Sequence, residues 1–163
     1  SIYNGIGKLL PGSFIQFEMH SKDPQPEYYW NFKSLIEGNS LETHNQGYEK
    51  AVKNLDIVLG DSVEQQMISD VPLGAFLSGG IDSSTIVALA QSRSSSQVNT
   101  FSIGYDDKLY NEAEHAKLVA KHLGTNHTEL YITPKDAVSV IPELPKIYTE
   151  PFADPSQIPM FLV

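Results

Sequence analysis

The residues best suited to chemistry lie in one short segment, Ser78-Gly79-Gly80-Ile81-Asp82-Ser83-Ser84. The apolar run 71–77 precedes this segment and a second apolar run, 85–90, follows it, which predicts a strand, a loop and a helix in that order. Two glycines let the backbone approach an anion closely, and the N–H groups at a helix start attract negative charge. The segment therefore predicts a phosphate-binding loop.

Side chains of the same segment add donors and one carboxylate. The hydroxyls of Ser78, Ser83 and Ser84 can donate to phosphate oxygens, whereas a bare Asp82 carboxylate would repel them. Asp82 is explained if it holds Mg²⁺, which bridges a carboxylate and a phosphate. The alternative is a plain turn in which Asp82 or Ser83 caps the next helix. Neither G-x-x-x-x-G-K-[ST] nor G-x-G-x-x-G fits the segment.

Composition limits the classes of partner. The chain has 163 residues, with 11 basic and 20 acidic side chains and a net charge of −9. A protein whose main partner is a polyanion usually has a basic patch, and the sequence contains none, so nucleic acid is not the expected partner. Phosphate recognition must then come from backbone donors and a metal ion.

Cysteine content and hydropathy exclude further classes. The chain has no cysteine, which removes disulfides, thiolate metal sites and a cysteine nucleophile. The five histidines lack the spacing of zinc ligands. No apolar run is long enough to cross a membrane, and we expect a cytoplasmic location with small-molecule substrates and no membrane partner.

The elements that position the loop follow from hydrophobic periodicity. Residues 1–32 are typical of β-structure, with strands predicted at 13–17 and 27–30, and residues 33–46 are predicted to be a linker. From residue 47 the apolar residues step by three or four, which predicts a helix with one core-facing stripe. That stripe comprises Tyr48, Val52, Leu55, Leu59, Val63 and Met67.

Strands and helices alternate beyond residue 71. Strands predicted at 72–77, 98–103 and 127–132, with helices between them, indicate an α/β fold with a Rossmann-like parallel sheet. Ligands of such sheets bind at the carboxyl ends of the strands. This rule selects the loop 78–84 for a triphosphate and Ile103-Gly104 for adenine.

Helix ends in this region carry recognisable signals. Asn111 with Glu114 has the pattern of a capping box, Gly124 predicts a C-terminal stop, and Pro134 predicts a helix start. Glu112 and Glu114 could approach the site from a loop end, although caps or solvated charges are the default interpretation of both.

With these motifs in place, the chain resembles the glutamine-hydrolysing asparagine synthetase family of the ATP pyrophosphatase (PP-loop) superfamily. Residues 70–84 are similar to the first strand and pyrophosphate loop of the family's synthetase domain. Further landmarks follow in the family's order, namely Phe101-Ser102-Ile103-Gly104, Asn111-Glu112-Ala113, His122-Leu123-Gly124-Thr125 and Glu150-Pro151-Phe152-Ala153-Asp154. Residues 3–13 resemble the end of the family's glutaminase domain.

The resemblance implies a domain arrangement and a reaction. Residues 1–32 would be the β-rich tail of an N-terminal glutaminase domain, 33–46 a linker, and 47–163 the N-terminal part of the ATP-binding synthetase domain. The fold would be a truncated layer sandwich of the adenine nucleotide alpha-hydrolase-like type. The parent enzyme would adenylylate a carboxylate such as that of aspartate with ATP and Mg²⁺, release pyrophosphate, and form an amide with ammonia derived from glutamine.

Site residues carry over position by position. By resemblance Ser78, Gly79, Gly80, Ser83 and Ser84 would hold the β- and γ-phosphates. Asp82 would act in catalysis by holding Mg²⁺, while Leu77, Ile103 and Gly104 would contact the adenosine portion. Glu150 and Asp154 lie in a family-like loop, and substrate proximity and a solvated role are both open for them.

Two departures from the family pattern limit what this stretch can do. The glutaminase step needs a cysteine, and the family's later acidic loop and basic residues do not occur here. We therefore expect a fragment that lacks the glutaminase and C-terminal synthetase segments. Alone it should bind ATP or pyrophosphate weakly and turn over poorly or not at all. Alternatives are a GMP, NAD or argininosuccinate synthetase-type enzyme, a tRNA-modifying enzyme, and a non-catalytic nucleotide-binding module. A homodimer is left open.

Overall fold

The computed structural model describes residues 1–20, 24–38, 47–105, 111–151 and 153–163. The chain forms two compact units, Ser1–Gly47 and Tyr48–Val163. The loop 78–84 and all three strands predicted after residue 71 belong to the second unit.

The first unit contains a minimal antiparallel pair and one short helix. Strand β1 (Ser13–Phe14) pairs with β2 (Glu27–Tyr28), so the two predicted strands form but are shorter than expected. Helix α1 (Phe32–Glu37) overlaps the start of the predicted linker, where no regular element was expected. Asn31 caps the helix by accepting from Ser34 N–H at 3.3 Å, and six residues are too few to show a helical period. Residues 39–46 of the predicted linker lie outside the described residues.

A three-stranded parallel sheet organises the second unit. Strands β3 (Gly74–Phe76), β4 (Asn99–Tyr105) and β5 (Asn126–Ile132) lie in the order β3-β4-β5. Both pairs are parallel, which confirms the predicted α/β architecture. Parallel register brings the carboxyl ends of β3 and β4 to one edge, where the loop 78–84 begins.

The helices of this unit follow the predicted alternation. They are α2 (Tyr48–Gln66), α3 (Ile81–Arg93), α4 (Ala113–Leu123), α5 (Pro134–Val140), α6 (Leu144–Ile147) and α7 (Gln157–Leu162), with a 3₁₀ turn at Ile141–Glu143. Gly124 ends α4 in the left-handed conformation at φ 73°, as predicted. Thr133 and Asp136 form a capping box at the start of α5.

The core lies on one face of the sheet, beneath α3 and α4. Leu77 at the end of β3 packs with Val87 of α3 and with Ala116 and Ala120 of α4. Along β4 the residues at 100, 102 and 104 are buried, whereas those at 101, 103 and 105 are only partly buried. The small alanines of α4 let this helix approach the sheet closely, and its first turn borders the loop 78–84 at Gly79.

Two sequence predictions on these helices are corrected by the structure. The stripe of α2 does not face the core along its whole length, because Val63 is buried whereas Tyr48 is 84% and Leu55 61% exposed. The predicted capping box at Asn111 is also absent from the described residues. Glu112 is the N-cap of α4, and Asn111 Oδ1 accepts from Ala113 N–H two residues on, at 3.2 Å.

Within the residues that the structure describes, none of the helices has both the length and the apolar character needed to cross a lipid bilayer.

Candidate phosphate- and nucleotide-binding site

The loop between β3 and α3 is held in shape by its own serines. Ser78 and Ser83 hydroxyls lie 2.9 Å apart, and Ser78 N–H donates to Ser83 Oγ at 3.2 Å. Gly80 N–H donates to Ser78 Oγ, and Ser83 Oγ donates to Gly80 O, both at 3.3 Å. The serines therefore fix the curvature of the loop as well as offering hydroxyls to a ligand.

The start of α3 is open to an anion. Its N-cap is Gly80, which has no side chain to accept from the first N–H groups, and Ser84 N–H makes the first bond of the helix, to Gly80 O at 3.0 Å. The N–H groups of Ile81, Asp82 and Ser83 come before that bond and have no acceptor within the helix. The interpretation in which Asp82 or Ser83 merely caps the helix is not supported, because no side chain makes the cap hydrogen bond.

Gly79 joins the loop to helix α4. Its φ is +81°, a left-handed conformation that disfavours residues with a side chain. A Cβ at this position would lie 2.8 Å from His115 Cβ and 2.9 Å from Ala116 N. Glycine is thus required twice, once for the backbone conformation and once for the contact with the first turn of α4.

A cavity of about 220 Å³ adjoins the loop at the carboxyl ends of β3 and β4. Its wall is formed by Phe76, Leu77, Ser78, Phe101, Ser102, Ile103, Tyr105, Glu112 and Pro159. Most of these side chains are apolar or aromatic, which suits a flat organic ring. Ser78 belongs to both the cavity wall and the loop, so a single ligand could occupy both.

The predicted adenosine contacts are placed differently from one another. Leu77 and Ile103 both line the cavity. Gly104 is buried on the opposite face of β4, where a Cβ would lie 2.5 Å from Cε1 of Tyr131. Adjacent residues of a strand point to opposite faces, so a side chain at position 104 would project away from that of Ile103.

Several wall residues were missed by sequence reasoning. Phe101 and Tyr105 share the face of Ile103 because a strand has a period of two, and that alternation could have identified them. Pro159 comes from the segment at the start of α7, far away in sequence. Glu112 was not missed, because the sequence allowed both a capping role and an approach to the site, and it is the N-cap of α4 and also lines the cavity.

The loop's remaining polar residues face different surroundings. Asp82 is exposed in the first turn of α3. Ser84 Oγ is buried, and no described residue hydrogen-bonds to it, whereas Ser78 is exposed.

The two acidic residues near the C-terminal end, Glu150 and Asp154, lie apart from the cavity. Asp154 accepts from Ser156 N–H at 2.9 Å, and hydrogen bonds from Ser156 lower the pKa of this carboxyl. Among the described residues, neither Asp154 nor Glu150 lines the cavity.

A charged cluster holds α4 against β5. Lys117 Nζ lies 2.8 Å from Glu129 Oε1, and Tyr131 Oη donates to Glu129 Oε2 at 3.1 Å. The hydrogen bond from Lys117 lowers the pKa of Glu129, and the same contact raises the pKa of Lys117. Both directions favour the charged pair, which secures the helix whose first turn contacts Gly79.

A second polar cluster is built around His127 under the same helix. His127 Nδ1 lies 2.9 Å from Thr100 Oγ1 and its Nε2 3.2 Å from Ser102 Oγ. Burial lowers the pKa of His127, and this effect exceeds the opposing influence of Glu129, whereas Lys117 acts in the same direction as burial. Both ring nitrogens contact hydroxyls of β4, so His127 crosslinks the two strands, and its burial favours the neutral form.

The donor set fits a magnesium ion that is bound mainly by phosphates and water. Among the described residues there is no group of three or more histidine or carboxylate side chains that could enclose a metal. Mg²⁺ is commonly held by one or two carboxylates together with substrate phosphates. Asp82, exposed beside the loop, can supply one such carboxylate.

Comparison with known proteins identifies the family. The family model for asparagine synthase matches residues 54–163, which is more than half of the chain and includes the whole loop and cavity wall. The chain belongs to the asparagine synthase family. This membership agrees with the resemblance drawn from the loop motif and with the three-stranded parallel sheet.

Three relatives from different organisms match between 85% and 100% of this chain. The provisionally named glutamine-hydrolysing asparagine synthetase 2 of Methanocaldococcus jannaschii is 35% identical over 100% of this chain. Asparagine synthetase 1 of Bacillus subtilis is 35% identical over 97%, and the human asparagine synthetase 27% over 85%. The chain spans only 30% of the length of the first relative and 24% of each of the other two.

Proposed function

We propose that this chain is the pyrophosphate- and nucleoside-binding part of an ATP-dependent amidotransferase of the asparagine synthetase type. The observation that carries the proposal is the open start of α3, placed directly beside a largely apolar cavity, with Ser78 common to both. Phosphates would lie on the loop and the adenosine portion in the cavity. The family membership supports the same assignment.

The loop residues would stabilise the departing pyrophosphate. In the proposed reaction the acceptor carboxylate attacks the α-phosphorus of ATP. The bond between the α-phosphorus and the oxygen that joins it to the β-phosphorus breaks, and negative charge grows on the leaving pyrophosphate. Preorganised N–H groups at the start of α3 and the hydroxyls of Ser78 and Ser83 would donate hydrogen bonds to that charge, and they would stabilise it without having to reorganise. Gly79 and Gly80 keep the backbone free of side chains where the phosphates would approach.

Asp82 would hold a magnesium ion on the same phosphates. When bound, Mg²⁺ supplies positive charge that offsets the charge developing on the leaving pyrophosphate. Asp82 at the first turn of α3 would fix the orientation of the phosphates relative to the helix start. Ser84, with its hydroxyl buried, would contribute through its position in the helix more than through its side chain.

The remaining parts of the reaction belong to the proposed parent protein. The names of the relatives specify glutamine hydrolysis and asparagine synthesis, and we propose aspartate as the acceptor and glutamine-derived ammonia as the nucleophile. Residues 1–32 would be the end of the glutaminase domain and 47–163 the start of the synthetase domain. The cytoplasmic location and the oligomeric state stay predictions.

Calorimetric titration of Mg-ATP and Mg-pyrophosphate into the chain tests the loop assignment. We expect magnesium-dependent binding of both ligands, strongly reduced in Asp82→Asn and unchanged in Asp61→Asn, an exposed carboxylate on α2. Circular dichroism would verify that each variant is folded. Absence of binding to the folded wild-type chain, or equal binding by Asp82→Asn, would refute the assignment.

A non-catalytic nucleotide-binding module is the competing function. Both interpretations expect ATP to bind, but only the enzyme forms AMP and pyrophosphate when the complete parent protein receives an acceptor carboxylate and ammonia. Detection of AMP that depends on the acceptor would exclude the module.

A further inference from the structure

We propose that Glu112 determines the nucleotide specificity of the cavity by accepting hydrogen bonds from the ribose hydroxyls. The inference rests on the proposed function and adds a residue that the loop motif does not contain. Among the described residues of the cavity wall, Glu112 is the only one with a charged side chain. A carboxylate accepts hydrogen bonds and repels phosphate, so it selects a hydroxyl-bearing part of the ligand.

The position of Glu112 along α4 indicates which part of the nucleotide it faces. Ala116 N–H donates to Glu112 O at 3.0 Å, so the two residues are one helical turn apart. The same Ala116 nitrogen borders Gly79 of the phosphate loop, 2.9 Å from where a Cβ would lie. Glu112 is therefore within about one turn of the phosphates. Ribose is the part of ATP that lies next to its phosphates, whereas the base lies farther away.

The rest of the wall supports the same placement. Phe76, Phe101 and Ile103 supply an apolar surface suited to the base. The other polar side chains of the described wall are the hydroxyls of Ser78, Ser102 and Tyr105, of which Ser102 already contacts His127. A cavity of about 220 Å³ is smaller than the roughly 300–1,000 Å³ of pockets that enclose a whole drug-sized ligand. It fits a nucleoside portion whose phosphates lie outside on the loop. An acidic residue that binds ribose hydroxyls in this way is a known solution in nucleotide-binding α/β folds.

Deoxy analogues of ATP test the inference directly. Hydrogen bonds to a charged group contribute roughly 10-fold to 100-fold in affinity. We expect the wild-type chain to bind Mg-ATP at least about tenfold more tightly than Mg-2′-deoxyATP or Mg-3′-deoxyATP, for at least one of the two analogues. In Glu112→Ala this preference should disappear, because ATP loses affinity while the affected analogue does not.

Two controls separate this inference from the proposed function. Glu114→Ala removes the same charge from the same turn of α4 but lies outside the cavity wall, and it should keep the preference for ATP. Mg-pyrophosphate has no ribose, so its affinity should not fall in Glu112→Ala. Equal loss of affinity for ATP and both analogues in Glu112→Ala, or no preference in the wild type, would overturn the role of Glu112. Failure of both Mg-ATP and Mg-pyrophosphate to bind would overturn the loop assignment as well.

Discussion

Replacing Gly79 by alanine should destabilise the second unit by two separable effects. The first is backbone strain, because φ at Gly79 is +81° and an L-residue in the left-handed region costs about 1–2 kcal/mol. The second is overpacking, because the new Cβ would lie 2.8 Å from His115 Cβ and 2.9 Å from Ala116 N. Forcing a methyl group into such a contact typically costs about 1–3 kcal/mol.

Gly124→Ala isolates the first effect. Gly124 has a φ of +73° at the end of α4, and nothing lies within 4 Å of where its Cβ would be. Its replacement should therefore cost only the strain of about 1–2 kcal/mol. The Gly79 variant should be destabilised by a further ~1–3 kcal/mol, because its new methyl group overpacks against α4.

Urea unfolding followed by far-ultraviolet circular dichroism measures this difference. Dichroism reports the helices of the second unit, whereas fluorescence of the single tryptophan, Trp30, would report the first. With a denaturant slope of about 1–3 kcal/mol per molar urea, the midpoint of Gly79→Ala should lie roughly 1 M below that of Gly124→Ala. Equal midpoints for the two variants would refute the conclusion that the loop is packed on α4.

Three further predictions concern the polar groups around the sheet. The free energy of unfolding should fall as the pH decreases from about 7 to 5, because the pKa of His127 is lowered in the folded state and the unfolded chain binds its proton first. His127→Gln should flatten this slope, whereas His122→Gln, exposed on α4, should not. Thr100→Val should cost about 1–3 kcal/mol in urea unfolding by leaving the partly buried Thr125 and His127 without this hydrogen bond. Thr128→Val on the exposed side should be nearly neutral. Thr133→Ala should cost about 1 kcal/mol by removing the cap of α5.

Each of these predictions has a contrary result. An unchanged pH dependence in His127→Gln would mean that the neutral imidazole is not favoured by burial. A Thr100→Val chain as stable as the wild type would show that the hydroxyls between β4 and β5 contribute nothing net. A Thr133→Ala chain with an unchanged midpoint would show that α5 unfolds separately from the rest of the unit.

Local signals in the sequence were sufficient for the loop and for the order of the elements. Gly79 and Gly80 between two apolar runs predicted the strand, loop and helix, and Gly124 marked the end of α4 through its conformation alone. Helix α1 was missed because a single turn and a half shows no period.

Contacts between distant segments were not predictable in this way. Nothing local to Gly79 indicates that His115 and Ala116 border it. The position of Glu112 at a loop end allowed an approach to the site but did not distinguish it from Glu114, which lies outside the cavity wall. Whether the apolar stripe of α2 is buried depends on which other elements pack against it, and the period of the helix does not show this. Tyr48 and Leu55 remain exposed in the structure. Ile103 and Gly104 were predicted to act together, although the period of a strand assigns them to opposite faces.

The contact between Gly79 and the first turn of α4 also bears on transplantation of the loop. Its left-handed glycine is seated on atoms of His115 and Ala116, which belong to a different helix from the one that the loop begins. A segment 78–84 grafted between a strand and a helix of another scaffold would keep its serine hydrogen bonds but lose this support. Designers who wish to move the motif should therefore transfer the loop together with the small-residue surface of a second helix, because the two form one structural unit.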